Sequence, residues 1–329
     1  MEPTMSTTSP QVLIIGAGMA GLAAANELRR HGATPLVLDK GRAVGGRMAT
    51  RRIGDARYDH GAQHFSARSA AFRDEVTRWR ESGLVHEWFR SRSLTQATGA
   101  VEPRHAARGG IRSIPEYLAA GLDVITAVTV ESIELDPSGI TAVAGGNIVA
   151  AADAAIITPP VPQTRALLAN SGIALPGGAA AMLESIEYDA CLAVMARLDG
   201  PSGLPDGHAT PGDDSIAWIA DNRHKGVSEV PAVTIHSTPE FAARHLEDPP
   251  ERWAAALVDH ARRLLAGTIT EYTGHRWRYS QPRRVFDVGA VSIDGPVPTV
   301  LAGEVFAGSR IEGAYTSGRA AAAQVLERL

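Results

Sequence analysis

Gln11-Val12-Leu13-Ile14-Ile15-Gly16-Ala17-Gly18-Met19-Ala20-Gly21-Leu22 passes from an apolar pentapeptide through three glycines into helix formers that run to Arg30. The short apolar run suits a strand buried on both faces, so the glycines fall at a strand-to-helix turn. Gly16 permits the tight turn, Gly18 lets the backbone approach a pyrophosphate, and Gly21 lets the helix lie close on the strand. The N–H groups around Met19 and Ala20 point at the anion. A second apolar run, Leu36-Val37-Leu38, ends in Asp39, eighteen residues beyond Gly21 (39 less 21). A carboxylate there can accept from ribose hydroxyls and disfavours a 2′-phosphate, so the unit reads as a dinucleotide half-site.

The composition bounds the rest. The chain has 329 residues, 44% hydrophobic and 21% charged, enough for two domains with sizeable cores. A formal charge of −4 leaves no electrostatic footprint for nucleic acid or an anionic membrane, and neither is expected as a partner. Met1 to Pro10 lacks the basic start and apolar core of a signal peptide, and Val12 to Ala25 is too short and glycine-broken to span a bilayer. A cytoplasmic location is the expectation. Cys191 is the single cysteine, which excludes an internal disulfide, a CxxC centre and a cysteine metal cluster, and no metal site is expected. Lysine occurs only at Lys40 and Lys225, the latter in a polar, loop-like context.

After Asp39 come Lys40-Gly41-Arg42-Ala43-Val44-Gly45-Gly46-Arg47-Met48. Gly45 and Gly46 let the backbone approach, and the planar fork of Arg47 suits a pyrophosphate. FAD oxidoreductases of the amine-oxidase type carry such a Gly-Gly-Arg turn after the ribose acid, so the resemblance favours FAD. Tyr58-Asp59-His60-Gly61-Ala62-Gln63-His64-Phe65 then clusters polar side chains without helical periodicity; a loop with a satisfied histidine is the plain reading for His60 or His64 alone. The string GGRMATRR followed by DHGAQHF resembles the renalase family, flavoproteins of the amine-oxidase superfamily. The resemblance implies that Gly61, Ala62, Gln63 and His64 are candidate flavin contacts, although tyrosine is common where this chain has His64.

Phe72, Val76 and Trp79 form one helical stripe within Ser69 to Arg80 and read as core. Ser91 to Arg108 is polar and turn-rich, and Gly109-Gly110-Ile111 leads into a short helix through Leu118. Two β-branched runs, Val124 to Leu135 and Ile140 to Val143, flank Asp136-Pro137-Ser138-Gly139, a turn by its chemistry. Superfamily resemblance implies a strand there that touches adenine with backbone groups, making Val128 and Val130 candidates. Asp153 to Pro160 is a further apolar strand stopped by prolines.

Tyr188 to Leu198 and Ala232 to His236 are strand-like, and Trp253 to Leu265 is an amphipathic helix opened by Asp248-Pro249-Pro250-Glu251. If extended, His275-Arg276-Trp277-Arg278-Tyr279-Ser280-Gln281-Pro282 sets Trp277 and Tyr279 on one face and Arg276, Arg278 and Ser280 on the other. A half-buried strand accounts for the same alternation. WRYSQP and Thr234-Ile235-His236-Ser237 again resemble renalases, where WRYSQP lies near the substrate side of the flavin. Val300-Leu301-Ala302-Gly303-Glu304 is a strand ending in an acid, and Arg310-Ile311-Glu312-Gly313-Ala314-Tyr315 opens an alanine-rich helix. By resemblance, Gly303 and Glu304 lie near the ribityl and phosphate groups, with glutamate in place of the usual aspartate. Glu312, Gly313 and Ala314 lie at the flavin's pyrimidine end, where a positive helix end stabilises anionic reduced flavin.

The fold class that follows is α/β: a Rossmann-type FAD-binding domain with an inserted mixed α+β substrate domain, similar to amine oxidases and p-hydroxybenzoate hydroxylase. Residues 1–68, 104–162 and 283–329 would form the cofactor domain, and 69–103 and 163–282 the substrate domain. The resemblance implies an oxidase with non-covalent FAD that converts 2- or 6-dihydro isomers of β-NAD(P) to β-NAD(P)⁺, with oxygen as acceptor and hydrogen peroxide as product. No residue is assigned as acid or base; Gln63, His64, His236, Trp277 and Tyr279 are candidates for positioning a dinucleotide substrate. The alternatives are a flavin amine oxidase and a non-catalytic FAD-binding protein.

Overall fold

Gln11–Ile15 is a strand whose last four residues are buried, and it lies at the middle of a six-stranded sheet. It is flanked in parallel by Thr34–Leu38 and Ala154–Ile157, which is why the sequence here is apolar on both faces rather than alternating. Asp123–Ile125 and Thr299–Leu301 continue the parallel order outward, and Val291–Ile293 closes one edge antiparallel. The computed structural model describes residues 11–92 and 101–329; the expectation about a leader in Met1 to Pro10 and part of the 69–103 segment lie outside the described residues.

The chain divides into two compact units, the first comprising 1–46, 115–186 and 284–329 and the second 47–114 and 187–283. Relative to the expected boundaries, residues 47–68, 104–114 and 283 group with the second unit and 163–186 with the first. In the first unit the helices Met19–Arg30 and Ile311–Leu326 touch at Gly318, where a Cβ would stand 2.0 Å from the Ala20 carbonyl oxygen. Only glycine lets the two backbones come so near.

The second unit is built on a five-stranded antiparallel sheet in the order His208–Ala209, Ile216–Asp221, Ala232–Ser237, Tyr188–Leu198 and Ile269–Pro282. The helix Pro250–Ala261 covers one face, and Trp253 sits over Gly274, where any Cβ would fall 2.4 Å from the indole. Leu192, Val194, Ile219, Val233, Ile235 and Leu257 fill the core beneath.

Two local expectations are corrected. Ser91 to Arg108, read as polar and turn-rich, contains much of an antiparallel pair, Val85–Arg92 with Val101–Ala107, whose inner residues His105, Ala106 and Ala107 are buried. Two of its polar letters, Arg104 and His105, are themselves buried. Val124 to Leu135, read as one β-run, is broken: strands cover Asp123–Ile125 and Ser132–Asp136, and Ala127 between them takes a positive φ of 59°. The second strand then joins Gly139–Ala144 and Asn147–Ala152 in a separate three-stranded sheet.

Candidate flavin and substrate sites

In the first unit the glycine turn has the form a phosphate site requires. Gly16 has φ of +107°, and a Cβ on it would collide with the Thr158 hydroxyl at 2.3 Å. On Gly21 a Cβ would stand 1.9 Å from the Gly16 carbonyl oxygen, so helix and turn meet without a side chain between them. Gly18 differs: a Cβ there would meet nothing within 4 Å, leaving open space beside the helix start. Among the described residues no side chain caps Met19–Arg30, and no acid lies in its first turn, so its leading N–H groups suit an anion. These residues fit a dinucleotide pyrophosphate.

Asp39 is engaged by backbone N–H groups on both oxygens. Its two carboxylate oxygens accept from Ala17 N and Gly41 N, each at 2.6 Å, so it ties the glycine turn to the loop that follows. Gly45 donates to the Ala17 carbonyl at 2.8 Å and has φ of +117°, and Gly46 also lies at positive φ; Lys40 is exposed. Val128 and Val130 lie in the irregular stretch between strands, and the Val128 N–H is already given to the Asp39 carbonyl at 2.9 Å. The strand expected at that point is therefore absent, and Val128 has only its carbonyl to offer. Near the C-terminus, Gly303 N donates to Ser317 Oγ, Glu304 is buried at the start of a short 3₁₀ turn, and Glu312, Gly313 and Ala314 occupy the first turn of the last helix.

In the second unit the candidate residues converge on the run after Asp59. Gly61 is glycine because a Cβ would fall 2.0 Å from the Arg47 carbonyl oxygen, which also accepts from Ala62 N at 2.9 Å. Arg47 in turn donates to the Ser280 carbonyl at 3.3 Å and lies 6.0 Å from the Tyr188 ring, whose edge meets Tyr279 at 5.8 Å. Trp277 and His236 both donate to the His60 carbonyl, at 2.8 and 3.1 Å. The carbonyl bond makes His236 Nε2 the protonated nitrogen. Trp277 also stacks on the His60 ring at 5.3 Å, and His275 meets both rings edge-on. Arg276 and Arg278 project the other way, to Asp248 and Glu247. The His64 ring meets Phe89 and Trp218, each at 5.3 Å.

Burial holds these histidines neutral. It presses His60 down to about 3, with nearby His275, His236, Arg112 and Arg51 adding to the effect, and His236 to about 4, while His275 is lowered in the same way with help from Arg51.

The sequence reading missed Lys225. It is not a solvated loop lysine but fully buried, with its ammonium 2.8 Å from the equally buried Asp59 carboxylate, 3.4 Å from Gln63 Oε1 and 5.2 Å from the Trp88 ring. It sits in the tight turn after Ile216–Asp221, among polar neighbours that carry no burial pattern, so only Asp59 in the DHGAQHF string hinted at an internal charge needing a partner.

Family models match at two places: an NAD(P)-binding Rossmann-like domain over residues 14–78, and flavin containing amine oxidoreductase over residues 76–326. The chain belongs to the flavin-containing amine oxidoreductase family. As a member it is an FAD-dependent oxidoreductase of the amine-oxidase type, and the open glycine turn fits that cofactor. Its fold resembles that of putrescine oxidase, with a TM-score of 0.71 at 17% identity over 98% of this chain and 99% of the other. It also resembles an Exiguobacterium structure whose protoporphyrinogen oxidase assignment is itself provisional, at TM-score 0.73 and 12% identity over 98% and 100%. A flavin-containing monooxygenase FMO GS-OX-like 2 of Arabidopsis thaliana is 58% identical over 40 residues, 12% of this chain and 9% of that protein. No helix of the described residues is long and apolar enough to cross a membrane.

Proposed function

We propose that the protein is a renalase-like oxidase, taking the hydride from 2- or 6-dihydro isomers of β-NAD(P) and returning β-NAD(P)⁺, with oxygen accepting the electrons as hydrogen peroxide. The electrostatics around His60 carry the choice. The carboxylate of this cluster, Asp59, is already matched by Lys225, the histidines are neutral, and Arg51 and Arg112 are near enough to act on His60. Such surroundings repel a cationic amine and attract a phosphate-bearing dinucleotide.

Bound FAD supplies the hydride acceptor. The protein's part is then to hold a ring at a fixed distance and to keep water out, which fits a site whose histidines neither give nor take a proton near neutral pH. The rigid bonds from Trp277 and His236 to one carbonyl serve that purpose, with Gln63, His64 and Tyr279 as the remaining positioning candidates. The cofactor is held without a covalent bond on this reading, since neither cofactor motif contains cysteine.

A flavin amine oxidase is the second reading, favoured by the family itself and by the internal lysine. Aerobic incubation with purified dihydro isomers and, separately, with simple amines distinguishes the two. Peroxide and β-NAD(P)⁺ in equal amounts from an isomer support the proposal; peroxide from amines alone reverses it, and no peroxide from either leaves a flavin-binding protein.

A further inference from the structure

A buried ammonium–carboxylate pair is a poor way to stabilise a fold, because removing both ions from water costs about what their attraction returns. Lys225 and Asp59 are both fully buried, and the partners of Asp59 show what the pair holds in place. Its Oδ1 accepts from Thr50 Oγ1 at 2.6 Å and from Ile111 N at 2.8 Å, its N–H goes to Asn222 Oδ1 at 3.1 Å, and its carbonyl accepts from Gln63 Nε2 at 2.5 Å. Asn222, in the same turn as Lys225, donates onward to Thr234 Oγ1 at 2.9 Å. Three separate segments, at Thr50, Ile111 and Asn222 to Lys225, are thus pinned to one aspartate together with its own loop through Gln63.

Gln63 is 7% exposed, and its inventory is nearly spent. An ammonium only donates, so the atom 3.4 Å from Lys225 Nζ must be the amide oxygen. The amide nitrogen then gives its two hydrogens to the Asp59 and Gly61 carbonyls, at 2.5 and 3.0 Å. His236 Nε2, 3.4 Å away, has its proton committed to the His60 carbonyl, so two donors face each other there and no bond forms. Without the ammonium the amide oxygen loses its buried donor, which weakens the hold on the rotamer whose nitrogen serves the Asp59 and Gly61 carbonyls; a turned-over amide would release both.

We propose that Lys225 is a positioning residue: through Asp59 and Gln63 it fixes the backbone of His60–His64 and leaves Gln63 able only to accept a hydrogen bond from a bound molecule. The side chain keeps one free lone pair on Oε1, which suits an N–H donor such as a carboxamide. This deepens the reading under Proposed function and rests on it for the identity of that molecule, but the geometry of the loop stands independently.

The test is amide hydrogen exchange on the FAD-bound protein, comparing the parent with Lys225→Met, Lys225→Arg and the double variant Asp59→Asn with Lys225→Met. The double variant leaves no unpaired buried charge, so it covers the case in which Lys225→Met fails to fold. The expected result is exchange at least roughly tenfold faster at His60 and Ala62 in the double variant, unchanged exchange in Ala232–Ser237 and Tyr188–Leu198, and recovery in Lys225→Arg. Equal acceleration through both strands would make the pair an ordinary cross-tie of the fold and overturn the proposal. Unchanged exchange at His60 and Ala62 would overturn it equally. Neither outcome depends on which substrate reduces the flavin, so a failure here is separable from a failure of the dihydro-NAD(P) reading.

Discussion

Mild acid should destabilise this protein well before its carboxylates titrate. His60 and His236 are held neutral in the fold, at about 3 and about 4, whereas an unfolded histidine titrates near 6.5. Below that value the unfolded chain binds protons that the folded one refuses, so stability falls as pH falls, and it is fully present only above about pH 6.5. At about pH 5.5 each site costs RT ln(1 + 10), or about 1.4 kcal/mol, so the pair costs about 3 kcal/mol relative to about pH 7.5. His275 is lowered in the same direction and adds to the loss. The acids held low by arginines, such as Glu27 and Glu102, work in a lower window, because their stabilisation is lost only as pH drops below the ordinary carboxylate value. Urea unfolding at the two pH values measures the difference. His236→Gln, which can keep a donor toward the His60 carbonyl, should recover roughly 1.4 kcal/mol of the loss. A stability that is flat across this interval would mean that the two rings are protonated in the fold or reached by water, and the neutrality assigned to them would fall.

Arg47→Ala removes a charged fork from the Gly-Gly-Arg turn, and FAD affinity should fall by roughly ten- to a hundredfold, the equivalent of about 1.5–3 kcal/mol; titration of the FAD-free protein with flavin reads it, and an unchanged dissociation constant would give Arg47 a structural role in place of a cofactor contact. Trp277→Phe keeps a ring over His60 but deletes the donor to its carbonyl, which His236 still serves. It should therefore cost only about 0.5–1.5 kcal/mol in thermal or urea unfolding, while Trp277→Ala, which also loses the stack, should cost clearly more and slow flavin reduction. Equal losses in the two variants would show that the indole N–H and not the ring face matters.

The parts legible in the sequence are those where one residue type answers one local need. The Gln11–Ile15 strand, the glycine turn and the Asp39 terminus could be read because burial on both faces, close backbone approach and a carboxylate each leave a distinct letter. Ser69 was legible as the start of a helix that it caps through Phe72 N, whereas alternation from Trp277 to Tyr279 runs into a register shift between the Cys191–Trp277 and Asp189–Gln281 pairs that no letter announces. What escaped depends on partners distant in the chain. Lys225 looks solvated among Asn222, Arg223 and His224 until Asp59, 166 positions earlier (225 less 59), is brought against it by the sheet. His105 and its neighbours look like loop until their pairing with Val85–Arg92 turns them inward. Gly61 was read for its access to flavin, whereas the structure gives it a nearer reason in the Arg47 carbonyl. The break at Ala127 carried no warning, since alanine seldom takes a positive φ.

The most direct measurement is anaerobic mixing of the FAD-loaded protein with each purified dihydro isomer of β-NAD(P), and separately with simple amines, while the flavin's visible absorbance is followed. The electrostatics around His60 predict rapid bleaching by at least one isomer, one β-NAD(P)⁺ formed per flavin reduced, and no bleaching by amines. Bleaching by amines with none from any isomer would contradict the account.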